Sequence, residues 1–287
     1  MSDLCTTLDA LYASGSLRHL DRDPLSFCHR YHDPEDQEIA AVIASSFAYG
    51  SITVILRTLE SVFSELGTSP RKFIERFNPQ AGLHTFSRFK HRFNDGRDLC
   101  ALFSALQQIV RQSGSIHSFF LQGYSATDND VGTSLNHYTA AVLALDYTAV
   151  FGPERIPHDS GFPFLFPAPA SGSACKRLCM LLRWVVRPAD GIDLGIWSGI
   201  TPAQLVIPVD THISRISRYL GLTTRKAADW RMAQEITAAL RSFDPADPVK
   251  YDFSLAHLGI SDGCDGKDMS RCSSCQIAPI CAQNRTK

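Results

Sequence analysis

The 287-residue chain reads as an all-α protein. Three observations carry that expectation. Apolar residues recur at helical spacing in segment after segment, as in Ile39, Val42, Ile43 and Phe47, or Leu99, Leu102, Phe103, Leu106, Ile109 and Val110. No segment alternates apolar and polar residues over a strand's length between turn signals. Helix starts are also visible: Asp33-Pro34-Glu35-Asp36 offers a capping carboxylate, proline at the first helical position and acids in the first turn.

Taken in order, short helices fill the first thirty residues up to the polar turn from Arg30 to Pro34. The helix opened at Asp33 ends near Phe47 and Tyr49, just before Gly50. Residues 51–66 form a second amphipathic helix (Ile52, Ile55, Leu56, Leu59, Val62, Phe63, Leu66), and Pro70 opens a short third. Another runs from about Asp98 to Arg111, and His117 to Thr148 holds two more around the polar turn Asp128 to Asp130. Pro153, Pro157, Pro163, Pro167 and Pro169 forbid a long helix between Gly152 and Ser173. Phe162, Phe164 and Phe166 in that loop either line a pocket or pack beneath it. Helical spacing returns from Gly172 to Val186, with Leu178, Leu181, Leu182 and Val185 inward. After an insert from Pro188 to Pro208 come helices from Asp210 to Leu220, from about Thr224 to Phe243, and from Pro248 to Gly259. The last thirty residues are polar and rich in cysteine.

A hydrophobic fraction of 44% supports a real core and excludes a disordered or low-complexity chain. The first residues, MSDLCTTLDALYASGSLRHL, lack a basic start and a continuous apolar stretch, so neither a secretory signal nor a membrane anchor is expected. The net charge of -1 hides an uneven distribution. Arg71, Lys72, Arg76, Arg88, Lys90, Arg92 and Arg97 crowd one stretch, and Arg215, Arg218, Arg225, Lys226 and Arg231 follow Asp210. Such clusters are either solvated helix faces or a surface for an anionic partner.

Two residues stand out chemically. Lys176 opens an apolar helical run, and Asp210 opens another 34 residues later. An amine attacks carbon only after losing its proton, so a lysine beside a carboxylate makes an activated nucleophile. The plain alternatives are a surface lysine in a helical first turn, where the helix dipole disfavours a cation, and a simple N-cap aspartate. Both Asp210 roles can coexist, and His212 reads as a structural hydrogen-bonding residue.

Cys264, Cys272, Cys275 and Cys281 form the pattern C-x7-C-x2-C-x5-C. Four thiols so close together, with no apolar run to bury them, call for a metal or cluster. Zinc commonly takes two C-x2-C knuckles and this loop has one, so a [4Fe-4S] cluster leads, with zinc and then disulfides behind it. The other five cysteines are scattered, which fits a reducing, cytoplasmic compartment.

The segment VDTHISRISRYLGL closely resembles the aspartate-bearing segment of the helix-hairpin-helix DNA glycosylases of the endonuclease III type, and GSACKRLCMLL falls where that family carries its Gly-x-Gly-x-Lys hairpin. The cysteine loop is similar to that family's cluster loop, one residue longer in its first gap. The resemblance implies a two-lobed all-α fold: an N-terminal segment 1–35, a helical barrel 36–199 ending in the hairpin, and a lobe 200–287 with the cluster, the active site lying in the cleft. It implies a DNA repair glycosylase, bifunctional with AP lyase activity, that excises a damaged, oxidised base, with Lys176 as Schiff-base nucleophile and Asp210 as the catalytic aspartate that deprotonates it or stabilises the cationic sugar. Gly172 matches the first hairpin glycine, and Ala174 stands at the second. Phe47 or Tyr49 would fill the gap left by a flipped base, with Arg177, Arg215 and Arg218 as further DNA contacts. The implied partner is double-stranded DNA with damaged bases or abasic sites, bound by a nucleoid-associated monomer. A non-catalytic iron-sulfur protein that recognises such sites is the second expectation, and an iron-sulfur electron carrier the third. The insert between Lys176 and Asp210 is expected to bulge out.

Overall fold

The computed structural model describes residues 3–14, 16–153 and 155–282. The described chain is mostly helical, with a single two-stranded hairpin. It divides into two compact units, Arg22–Ala168 and a discontinuous one made of Met1–Asp21 and Pro169–Lys287. Helix α1 (Asp3–Ala13) belongs to the discontinuous unit and buries Cys5, Leu8 and Leu11.

The continuous unit begins with a 3-10 turn over Pro24–Arg30, whose cap Asp23 accepts from the Leu25 N–H. Helix α2 (Pro34–Ser46) starts as its sequence dictates: Asp33 caps the Glu35 N–H and Pro34 needs no hydrogen bond. Helix α3 (Ile52–Leu66) buries one stripe, Ile55, Leu59, Val62, Phe63 and Leu66. Two short helices, α4 (Pro70–Glu75) and α5 (Pro79–Thr85), each open on a proline behind a capping Ser69 or Asn78. Strands β1 (Lys90–His91) and β2 (Asn94–Asp95) then make a minimal antiparallel hairpin. Helix α6 (Gly96–Ser113) follows from a reciprocal capping box between Asp95 and Asp98 and forms the spine of the unit. Helices α7 (Ile116–Leu121), α8 (Gly132–Leu143) and α9 (Thr148–Phe151) complete it. Glu38 on α2 is buried, yet its carboxylate accepts from the N–H groups of Ile116 and His117 at the start of α7. Phe47, Phe103, Phe120 and Phe162 are fully buried, each burial stabilising by roughly 2 kcal/mol.

In the discontinuous unit, α10 (Lys176–Val186) is followed by the insert, then α11 (Thr211–Tyr219), α12 (Trp230–Arg241) and α13 (Asp252–Ile260), with α11 packed on α13. The insert does not bulge. Leu194 and Trp197 donate their N–H groups to the Trp184 and Val185 carbonyls, each at 2.7 Å, and Ile192, Leu194, Trp197 and Ile200 are buried. Free carbonyls at the end of α10 would otherwise need water, so the insert serves as their cap. Helix α12 also begins later than Thr224, because Asp229 rather than Thr224 supplies the capping carboxylate, to Met232 N–H.

The expected boundaries at 35/36 and 199/200 therefore move to 21/22 and 168/169. Arg183 and Arg187 on α10 bind Asp252, Asp193 and Asp247, which ties α10 to the C-terminal part of the chain. Lys176 thus shares a unit with Asp210. No helix among the described residues is long and apolar enough to cross a membrane.

Candidate functional site

Residues 169–176 turn the chain into α10. A 3-10 turn over Pro169–Ser171 leads to Gly172, which is exposed with φ +82° and donates its N–H to the Pro169 carbonyl. Its carbonyl accepts from Trp230 N–H at 3.1 Å, and Ser173 pairs with Asp229 in an isolated bridge. Cys175, the residue before the helix, is left-handed at φ +48° with its thiol buried and pushed up to about 12 by that burial. Lys176 is the first residue of α10.

Asp210 stands just before α11. Its Oδ1 accepts from the N–H groups of His212 and Ile213, both at 2.8 Å, which fixes the carboxylate. Its other oxygen, Oδ2, lies 3.8 Å from Lys176 Nζ. Both side chains are half-buried, at 31% and 18% exposure, so the pair is partly shielded yet reachable. The structure thus brings together an amine and a carboxylate that are 34 residues apart in the chain. Burial holds the neighbouring His212 imidazole below its ordinary pKa, against the opposing charge of Asp210, so this ring is neutral near pH 7.

Behind the pair lies a buried charge network. Arg183 Nη1 donates to Asp252 Oδ2 at 2.6 Å, and its Nη2 pairs with Asp193 at 3.1 Å. Asp193 also binds Arg187, which reaches Asp247 at 2.9 Å. Burial pushes Asp252 up to about 6, with Arg183 opposing and the Asp210 carboxylate adding to the rise. Asp252 was not singled out by sequence reasoning. The available signal was Arg183, a charge in the middle of the apolar run MLLRWVV, which can be buried only with a partner.

Several expected DNA contacts are placed elsewhere. Phe47 is fully buried and packs edge-on against Phe89 and His91, so it belongs to the core and cannot enter a duplex. Tyr49 is half-buried, its hydroxyl donating to the His91 carbonyl at 2.9 Å. Arg177 is buried because α10 turns that face inward. Arg215 is half-buried and donates to the Cys264 carbonyl and, at 3.2 Å, pairs with His212 Nδ1. It works as a strut between α11 and the cysteine segment. Arg218 is exposed on α11. Of the three loop phenylalanines, Phe162 and Phe166 are buried, whereas Phe164 is exposed.

The four C-terminal cysteines line one cavity of about 480 Å³, together with Tyr219 and Leu258. Cys264 continues from α13, its N–H donating to the Leu258 carbonyl. Gly266 is left-handed at φ +72°, and a Cβ there would meet the Tyr219 hydroxyl at 2.0 Å, so only glycine fits that corner. A 3-10 turn over Met269–Ser274 presents Cys272, and buried Ile277 and Ile280 anchor the far end. Burial raises the Cys264 and Cys275 thiols, and the other cysteines of the set raise them further, so the four sulfurs lie within electrostatic reach of one another. None of the nine cysteines forms a disulfide. No group of three or more His, Cys, Asp or Glu side chains among the described residues is already drawn together at metal-binding distance.

No curated protein and no solved structure matches the chain. The profile of the family described as "Protein of unknown function (DUF2400)" matches residues 23–261, a span that takes in Lys176, Asp210 and Asp252 and stops before Cys264. With the greater part of its length so matched, the chain belongs to that family.

Proposed function

We propose that this chain is a DNA repair glycosylase with AP lyase activity, acting on damaged or abasic sites in double-stranded DNA. The observation that carries the reading is the approach of Lys176 Nζ to Asp210 Oδ2 at 3.8 Å, with the other Asp210 oxygen locked by two backbone N–H groups. A target base inside the stack is out of reach, so the nucleotide is first rotated out, which costs a few kcal/mol. Asp210 accepts the ammonium proton, and the neutral Lys176 amine attacks C1′. The C1′–N bond to the base breaks as the Nζ–C1′ bond forms, and the base leaves with the electron pair and takes a proton. Opening of the sugar ring gives the imine. Loss of a C2′ proton then expels the 3′ phosphate by β-elimination. Once that proton has passed to the departing base, the Asp210 carboxylate is again charged and can offset positive charge at the sugar.

The cysteine cavity fits an iron-sulfur cluster. Its donors are four thiols, the ligand type such clusters take, and 480 Å³ is far more room than a single ion needs, since one water needs only about 15 Å³. Cys264, Cys272, Cys275 and Cys281 would hold the group. Bound there, it would cross-link the C-terminal segment, and no step of the reaction runs through it.

Borohydride trapping on an abasic duplex tests the reaction. Wild type should give a covalent adduct, and Lys176→Gln should abolish it while leaving duplex binding nearly intact. Asp210→Asn should lower base release by ~100 to 10,000-fold, because asparagine caps almost as well and the loss is chemical. A full adduct from Lys176→Gln would overturn the assignment.

A further inference from the structure

Among the described residues three large hydrophobic side chains are exposed, Phe93 at 60%, Phe164 at 44% and Ile260 at 37%, and the first two touch. Their centroids are 5.3 Å apart and edge-on. Half-buried Tyr49 completes the group, parallel to Phe93 within 3° at 6.3 Å and edge-on to Phe164 at 5.1 Å. Leaving two phenyl faces in water forgoes burial that the rest of the fold uses consistently, so a contiguous patch of this kind marks a binding surface.

The shelf is held rigidly from below. His91 is fully buried, with one ring nitrogen on the Thr58 hydroxyl at 2.9 Å and the other on the Tyr49 carbonyl at 3.0 Å. Asn94 Nδ2 donates to the Gly161 carbonyl at 2.7 Å and to Asp98 Oδ2 at 3.1 Å, and Ser160 donates to the other Asp98 oxygen at 2.7 Å. These bonds clamp three separate segments, the α2–α3 turn, the hairpin and the 160–165 turn, behind the three rings. Arg92, at the hairpin tip, is held left-handed at φ +51° and lies over the Phe93 ring at 5.5 Å. Its side chain crosses Gly50, where a Cβ would meet Arg92 Cδ at 3.0 Å and φ is +107°. A non-glycine residue in that region costs on the order of 1 kcal/mol, which this packing must offset.

The surrounding charge selects the partner. Arg88, Lys90, Arg92 and Arg97 are exposed on and beside the hairpin, and the one acid among residues 88–97, Asp95, is engaged in capping α6. Flat apolar faces with Arg92 against them, on a hairpin rich in exposed cations, match a nucleic-acid strand, whose bases stack on aromatic rings while its phosphates meet arginine and lysine.

We infer that Tyr49, Phe93 and Phe164, with Arg92, form a stacking shelf for an unpaired base of single-stranded DNA. The inference rests on the reading of this chain as a protein that acts on DNA, and adds to it a second contact, for unpaired strand, that the Lys176 chemistry does not require.

Fluorescence anisotropy on the full chain tests it with two labelled strands of equal length, one carrying bases and one built of tetrahydrofuran abasic spacers, which offer no aldehyde for Lys176 to capture. The base-bearing strand should bind roughly tenfold more tightly. Phe93→Ala with Phe164→Ala should erase that preference and leave affinity for the abasic strand unchanged; both side chains are exposed, and the melting temperature checks the fold. A double variant that keeps the preference, or a wild type that binds both strands equally, overturns the shelf. Self-association in sedimentation that vanishes in the double variant also overturns it, making the patch a protein interface. Lys176→Gln should keep the strand preference, so failure of the lyase reading, seen by borohydride trapping, is separable from failure of this one.

Discussion

The Lys176–Asp210 corner and the cysteine segment belong to the same unit and are joined by Arg215, yet they are built on opposite principles. The corner is assembled from the ends of three helices over a buried ladder of Arg183, Arg187, Asp193 and Asp252, and each of these charges has an ionic partner. The cysteine segment has little beneath it. Its turns are local, with Asp265 accepting from Lys267 and Asp268 N–H groups and Asp268 from Ser270, and its apolar anchors sit only at the far end. The contrast shows that the corner holds its geometry by packing and paired charge, whereas the segment is arranged around a space lined by its four thiols.

The largest effect should come from breaking the segment. Protein purified without oxygen should be brown, with about four irons per chain, and Cys272→Ser should lose the iron and expose residues 262–282 to protease. Colourless protein with stoichiometric zinc would reject the cluster. Next comes the ladder. Arg183→Met strands Asp252 in the interior and leaves Asp193 with Arg187 alone, and should cost ~3–5 kcal/mol in denaturant unfolding, whereas replacing Arg183 and Asp252 together by apolar residues should cost less than that single change. If both variants unfold like wild type, the corner is not held by its charges.

The smallest effect is a pH dependence. Asp252 ionises near pH 6 when folded, against about 3.9 for an unfolded aspartate, chiefly because it is buried. A carboxyl whose folded value is raised binds more protons in the native state, so its contribution is full below pH 4 and is lost as pH rises to about 6. The loss is at most about 3 kcal/mol. Burial raises Asp193 and Asp247 too, in the same direction. Thermal unfolding between pH 4 and 7 should show this slope, and Asp252→Asn should flatten it. A stability that instead climbs steadily through that window would contradict the placement of Asp252.

What could be read in the sequence was local. Caps at Asp33 and Asp210, proline at the start of α2 and α4, and apolar stripes on α3, α6 and α10 depend on neighbours in the chain, and the helices form there. What could not be read depended on tertiary partners. Arg177 and Arg215 looked like surface cations, but burial and the Cys264 carbonyl claim them. Phe47 looked like a projecting wedge because a helix ends there, and only the packing of Phe89 and His91 shows it is interior. The insert's fold-back onto Trp184 and Val185 is a matter of unfilled carbonyls, which no composition reveals.

The division of the chain has a consequence for its synthesis. Residues 22–168 are continuous and can complete their core while the rest is still being made, since domains generally fold as units as the chain emerges. The discontinuous unit cannot. Residues 1–21 leave the ribosome first and must wait for residues 169 onward, with α1 holding Leu8 and Leu11 for a core that does not yet exist. Lys176 emerges before Asp210, Asp210 before Asp252, and Asp252 before the four thiols. A nascent chain that has reached only Lys176 therefore carries no assembled amine-carboxylate pair, and the thiol-bearing segment joins the unit only after that pair can form.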